Sequence, residues 1–147
     1  MPWAAIPREG VNMKLFLDCE WDGWEGQLIS MALVSEQDHE WYEVAIDYAT
    51  DDWVKQNVIP LLGKGATSYS QLQSSLFLFL NQFDKIHIVA DWPEDISHFC
   101  KALIMSAGKR TDTPPLTMEV VRIDCKSDVP HNALADARGI KKRLIKI

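Results

Sequence analysis

The stretch that decides the fold is KLFLDCE, residues 14–20, a short apolar run of strand length that ends in acidic residues. The turn-rich segment DGWEG, residues 22–26, closes this run. A second apolar run, LISMALV, occupies residues 28–34, and residues 41–47 then alternate between apolar and polar side chains. These three runs predict a meander of three antiparallel strands.

The rest of the chain alternates helical and strand patterns. Two helices are predicted over residues 52–62 and 70–83, and a strand follows over 86–90. The next helix has apolar positions from Ile96 to Ala107 and is predicted to end at Gly108. A strand over 118–123 then precedes a closing helix, which has Leu134, Ala137, Ile140 and Leu144 on one face. We therefore expect an α/β fold in which the meander and a βαβ-type unit form one mixed five-stranded sheet flanked by helices.

Length and composition indicate one globular domain. The chain has 147 residues, of which 47% are hydrophobic, so its bulk is not disordered. We place the domain at residues 13–147 and interpret residues 1–12, punctuated by proline and glycine, as an N-terminal extension. The apolar run LFLFL at 76–80 is far shorter than the ~20 residues that a membrane span needs. The first residues do not resemble a signal peptide, and three widely spaced cysteines favour a reduced, cytoplasmic location.

Charge is distributed unevenly along the chain. Fifteen Lys and Arg residues against 21 Asp and Glu residues give a net charge of −6. This charge argues against a protein that binds long nucleic acid mainly by electrostatic attraction. Residues 131–147 nevertheless hold five basic residues and one acidic residue. A short or terminal anionic substrate is therefore allowed, and the surplus acids could hold metal ions.

Two acidic residues lie on the first predicted strand. Asp18 and Glu20 are two positions apart, so their side chains point to the same face. Two carboxylates on one buried face repel each other unless a cation neutralises them, and a divalent metal is a natural partner. The alternative is that this is the exposed end of an edge strand.

A second acidic point is DWPED, residues 91–95. Asp91 has the spacing of a helix N-cap, with Glu94 three residues later and Pro93 in the first turn. This structural explanation leaves Asp95 as the functional candidate. The choice between Asp91 and Asp95 stays open.

The third point is His131 with Asp136. On one continuous helix these residues would not share a face, but they converge if His131 lies on the loop before the helix. The alternative is an exposed histidine and a solvated carboxylate.

Taken in order, Asp18-x-Glu20, an aspartate opening a middle helix and His131-x4-Asp136 resemble the DEDDh 3′→5′ exonuclease family, which has the ribonuclease H-like fold. The resemblance implies that Asp18, Glu20, Asp95 and Asp136 hold two Mg²⁺ or Mn²⁺ ions and that His131 is the general base. It further implies exoribonuclease activity on the 3′ ends of single-stranded or short RNA, and it allows a homodimer. Trp21 and Trp24 are expected to contact the terminal nucleotide, although tryptophan is most often a core residue.

Three other functions remain open at this point. The same fold is compatible with a 3′→5′ DNA exonuclease. RNA differs from DNA by its 2′-hydroxyl, and the sequence does not show which residue would contact that group. The chain could also be a non-catalytic nucleic-acid-binding domain, although such a domain has no need of acids that repel one another. A ribonuclease H-type endonuclease is disfavoured by the His131-x4-Asp136 element.

Overall fold

A computed structural model describes residues 12–145. Residues 1–11 of the predicted N-terminal extension lie outside this range, so the extension is described only at Asn12. None of the described helices is long and apolar enough to cross a lipid bilayer.

The secondary structure follows the predicted order except for two short additional strands between residues 104 and 110. The strands are β1 (Met13–Trp21), β2 (Leu28–Ser35), β3 (Glu40–Val44), β4 (Ile86–Ala90), β5 (Ile104–Ser106), β6 (Lys109–Arg110) and β7 (Leu116–Val120). The helices are α1 (Asp52–Asn57), α2 (Tyr69–Leu80), α3 (Pro93–Ala102) and α4 (Ala133–Leu144), and a 3₁₀ turn covers Ile59–Leu61.

Five of the strands form one mixed sheet in the order β3-β2-β1-β4-β7. β1 pairs antiparallel with β2, and β2 pairs antiparallel with β3, which makes the meander. β4 pairs parallel with both β1 and β7, which is the βαβ-type part. The predicted α/β class is therefore confirmed, and the architecture is consistent with a ribonuclease H-like fold.

Strand β1 is buried on both faces and so divides the core into two layers. Leu15, Leu17 and Cys19 face α2 and α3 in the largest apolar cluster. Phe16 faces the other way and packs against Ile140 of α4. Because side chains alternate along a strand, the remaining even-numbered residues of β1 also point to the α4 side.

Polar side chains begin three of the helices. Each accepts a hydrogen bond from a backbone N–H in the first turn, which satisfies a donor that has no partner within the helix. These caps are Asp51 for α1, Ser68 for α2 and Asn132 for α4. The predicted helix over 52–62 is divided into α1 and the 3₁₀ turn, since Pro60 has no N–H to continue an α-helix.

The predicted helix that ends at Gly108 is too long. α3 ends at Ala102, and residues 104–110 form a small hairpin in which β5 pairs with β6. Gly108 has a φ of 72° and lies in the turn of this hairpin, so its conformational freedom serves a turn and not a helix cap. Ile104, predicted to lie on the buried face of the helix, is exposed.

The last strand lies earlier than predicted. β7 covers residues 116–120, whereas the predicted strand covered 118–123. After Val120 the chain leaves the sheet and crosses α4, and Val121, Ile123 and Cys125 pack against the cluster of Phe16 and Ile140. The apolar residues beyond Val120 therefore pack on a helix and are not part of the sheet.

Candidate metal centre

The acidic residues gather where β1 and β4 separate. These parallel strands are paired as far as Phe16 with Val89, and β1 then continues alone beside β2 to Trp21. The gap opens at the carboxyl ends of two strands whose connections leave in different directions. In α/β folds this is the usual position of a ligand site.

Asp18 and Glu20 lie on this free part of β1. Both point to the α4 side, as their spacing predicted, and Asp18 pairs in register with Ala32 of β2. β1 is the middle strand of five, and the carboxylate of Asp18 is buried. The alternative of an exposed edge strand is therefore wrong.

Asp95 occupies the first turn of α3 and reaches across the gap to β1. Its side chain is only 1% exposed, and its Oδ1 accepts a hydrogen bond from the backbone N–H of Cys19 at 3.0 Å. At Cys19, β4 no longer pairs with β1, so no β4 carbonyl accepts the Cys19 N–H. The Asp95 carboxylate accepts this hydrogen bond instead. One oxygen is fixed in this way, and the other, Oδ2, is buried and has no hydrogen-bond partner among the described residues.

Asp91 does not cap α3. The N-cap position is occupied by Trp92, and no side chain makes a capping hydrogen bond there. The explanation of Asp91 as a structural cap is therefore wrong. Its half-buried carboxylate lies instead with those of Asp18 and Asp95. The sequence offered Asp91 as a candidate, but its capping-box spacing gave a misleading explanation of its position.

His131 lies on the loop before α4, as the loop hypothesis required, and its backbone contacts Asp136. His131 precedes the N-cap Asn132, and Asp136 lies in the first turn of α4. The backbone N–H of His131 donates to Oδ2 of Asp136 at 3.1 Å, and His131 has a φ of 72°. The His131 ring is exposed and meets the edge of Trp53 at a centroid distance of 4.9 Å.

The carboxylates form two groups that share one residue. In each group, oxygens from three residues lie within 4.8 Å of one another. The groups are Asp18 with Asp91 and Asp95, and Asp18 with Glu20 and Asp136. Buried Oδ2 atoms of Asp18 and Asp95 receive no hydrogen bond from the described residues. Orphaned carboxylate oxygens in this arrangement fit divalent cations, which prefer oxygen ligands and would neutralise the charge.

Burial, together with the charges of neighbouring acids, raises the pKa values of Asp18, Glu20 and Asp95. Burial, followed by the charge of Asp136, raises the pKa of Glu20 from 4.5 to about 9. Burial and the charges of Asp91 and Asp136 raise the pKa of Asp95 from 3.8 to about 8, against the lowering effect of the Cys19 N–H. The pKa of Asp18 is also raised, chiefly by burial and then by Asp95. Without a cation the cluster therefore holds protons that ordinary carboxyl groups lose.

The two tryptophans expected near the substrate have different surroundings. Trp21 is partly buried and stacks on His98, with ring centroids 5.2 Å apart. Trp24 is 87% exposed on the loop between β1 and β2. Trp24 is thus free to contact a ligand, whereas one face of Trp21 is used in packing.

Sequence reasoning missed two residues that shape this region. Asp22 accepts hydrogen bonds from the backbone N–H groups of Thr50 and Asp51, at 2.8 and 2.9 Å, and so ties the end of β1 to the start of α1. Trp53 on α1 is thereby held beside the site and touches His131. No spacing in the sequence indicates these contacts, since they join residues about 30 and 80 positions apart.

Comparison with known proteins was made for the whole chain. No family model matches it. Two proteins of Mycobacterium tuberculosis, from strains CDC 1551 / Oshkosh and ATCC 25618 / H37Rv, are similar to it. Each is 29% identical over 155 residues of alignment, which covers 89% of this chain and 90% of the relative. Both relatives bear the name 3′-5′ exoribonuclease, and the chain is similar to them over nearly its full length.

Proposed function

We propose that this protein is a metal-dependent 3′→5′ exoribonuclease acting on single-stranded or short RNA. The observation that carries the proposal is the position of Asp18 in both groups of converging carboxylates. One acid shared between two triplets suits a pair of cations held side by side. The full-length similarity to two proteins named 3′-5′ exoribonuclease supports RNA as the substrate and the 3′ end as the point of attack.

In this proposal Asp18, Glu20, Asp95 and Asp136 hold two Mg²⁺ or Mn²⁺ ions, and Asp91 adjoins them. Bound divalent ions would supply a more acidic water and stabilisation of the leaving 3′ oxygen. The Cys19 N–H keeps Asp95 in one orientation, so the carboxylate is preorganised for a cation. The position of Asp95 at the start of α3 also fixes it to a rigid element of the fold.

His131 is the proposed general base. A neutral imidazole nitrogen would accept the proton of the attacking water as the terminal phosphodiester is cleaved and a nucleoside monophosphate is released. The hydrogen bond from the His131 backbone N–H to Asp136, one of the clustered acids, supports this role. Trp53 limits the positions that the ring can take. Exposed Trp24, and the free side of Trp21, are proposed to stack on the terminal base.

The test uses 5′-labelled RNA and DNA oligomers of equal sequence, incubated with the protein and Mg²⁺ or Mn²⁺. We expect an RNA ladder that shortens by one nucleotide at a time from the 3′ end, absent with EDTA and with Asp18→Asn. Asp112→Asn is the matched control, because Asp112 is exposed and precedes Pro115 at the opposite end of the sheet. Preferential cleavage of DNA would identify a DNA exonuclease, and binding without cleavage in either metal would leave a non-catalytic domain.

A further inference from the structure

A basic surface on α4 is not used by the proposed chemistry. Two of the cations on this helix are already paired, because Arg138 donates two hydrogen bonds of 2.6 Å to Glu40 and Lys141 pairs with Asp38. Lys142 differs, because it forms no ion pair with any residue between 12 and 145, and the same holds for Arg143. Two adjacent exposed cations therefore remain available to a ligand.

These cations line a cleft of about 490 Å³ between α4 and the segment 124–128. Gly139 makes the cleft possible, since a Cβ at this position would lie 2.4 Å from the backbone oxygen of Lys126. The close crossing holds exposed Lys126 opposite Lys142 and Arg143. Four cations and two acids line the cleft, so its net charge is positive although that of the whole chain is −6.

The basic cleft is continuous with the acidic cluster. Asp124 lines both this cleft and a larger one of about 1000 Å³, and the larger cleft extends to Asp91 and the exposed ring of Trp92. Along α4 itself, Arg143 lies seven residues after Asp136 and on the same side of the helix, about 10 Å farther along its axis. A groove thus leads from the carboxylates to the cations.

We propose that this groove binds the sugar-phosphate backbone of single-stranded RNA on the 5′ side of the bond to be cleaved, with Lys126, Lys142 and Arg143 contacting phosphates. The inference rests on the proposed function. Only one nucleotide lies on the 3′ side of the bond that a 3′→5′ exonuclease cuts, so a groove of this length holds the remainder of the strand. Cations positioned away from base-reading groups bind phosphate without sequence preference.

The experiment compares the double variant K142Q/R143Q with K109Q/R110Q. The second pair is also an exposed Lys-Arg pair, but it lies on β6 in the hairpin after α3. Glutamine preserves helix propensity and adds no negative charge at the end of α4. Affinity for a twelve-nucleotide RNA is measured by fluorescence anisotropy in EDTA at several salt concentrations, and cleavage of this RNA and of a trinucleotide is measured with Mg²⁺. Circular dichroism verifies that each variant is folded.

For K142Q/R143Q we expect the slope of log affinity against log salt to become shallower by about 1.4, the value for two contacts to a single strand. Wild type should therefore lose about 7-fold more affinity than this variant between 50 and 200 mM salt. The ratio of kcat/KM for the long RNA to that for the trinucleotide should also fall, while K109Q/R110Q behaves as wild type. If wild type cleaves RNA but both variants match it in slope and ratio, the groove proposal is overturned and the proposed function stands. If wild type cleaves neither RNA, both proposals fail.

Discussion

Replacement of Asp95 by asparagine should stabilise the metal-free protein while removing its activity. The new side chain would keep an Oδ1 that accepts the Cys19 N–H, and its amide would place a donor where Oδ2 now lies buried without a partner among the described residues. The change removes a carboxyl group whose ionisation is opposed by burial and by neighbouring acids, among them Asp18 and Asp91, which have oxygens within 4.8 Å of it. When no cation is bound, the ionised carboxylates of the wild-type cluster repel one another.

The magnitude follows from the raised pKa of Asp95. One pKa unit corresponds to about 1.4 kcal/mol, so a shift from 3.8 to about 8 sets an upper limit of about 5 kcal/mol of destabilisation near pH 7.5. The neighbouring acids share this repulsion, and they rearrange their protons when one charge is removed. We therefore expect about 2 kcal/mol of added stability, which raises the melting temperature of a chain this size by about 4–8 °C.

The assay is urea and thermal denaturation at pH 7.5, in EDTA and in Mn²⁺. In EDTA, Asp95→Asn should be more stable than wild type, and Asp112→Asn should differ by less than about 0.5 kcal/mol. Mn²⁺ should raise the melting temperature of wild type and of Asp112→Asn, and that of Asp95→Asn much less. The reasoning is refuted if Asp95→Asn is less stable than wild type in EDTA, or if it gains as much from Mn²⁺.

Four further outcomes are expected. In EDTA the free energy of unfolding should fall as pH rises between 4.5 and about 9, because burial raises the pKa of Glu20 in the folded state; urea titrations would show no such fall if this carboxyl were ordinary. Gly139→Ala should lower stability by about 1–3 kcal/mol in chemical denaturation, since the Cβ meets a backbone oxygen. Trp24→Ala should leave the melting temperature unchanged but raise KM for RNA, and an unchanged KM would exclude stacking. His131→Ala should reduce kcat by ~10²-fold or more while keeping the stabilisation by Mn²⁺; loss of that stabilisation would make His131 a ligand.

The sheet and the main acidic residues were predictable because they depend on local patterns. The apolar runs that became β1 and β2 are bounded by turn residues, and the two-residue spacing of Asp18 and Glu20 fixes their common face without reference to the rest of the fold. The position of His131 on the loop before α4 was predictable for the same reason. Five residues separate His131 from Asp136, and only a loop before the helix can bring them together.

Predictions failed where one sequence pattern is compatible with two different structures. Asp91 and Glu94 have capping-box spacing, but Trp92 occupies the N-cap position and the Asp91 carboxylate lies near those of Asp18 and Asp95. The apolar spacing up to Ala107 is compatible with a helix, yet the chain turns at Gly108 and pairs with itself. Long-range contacts decide between such alternatives, and a single sequence does not contain them.

The segment after β7 shows how the same ambiguity relates to function. Its alternating residues pack on α4 with one side and expose Arg122, Asp124 and Lys126 on the other. If the alternation had continued β7 within the sheet, this segment would not cross α4 at Gly139 and no basic cleft would form there. The chain leaves the sheet at Val120, beside the carboxyl end of β4 from which Asp91 follows. Because the chain leaves the sheet here, the predicted strand extends too far along the sequence. The same change of direction creates the groove that leads to the acidic cluster.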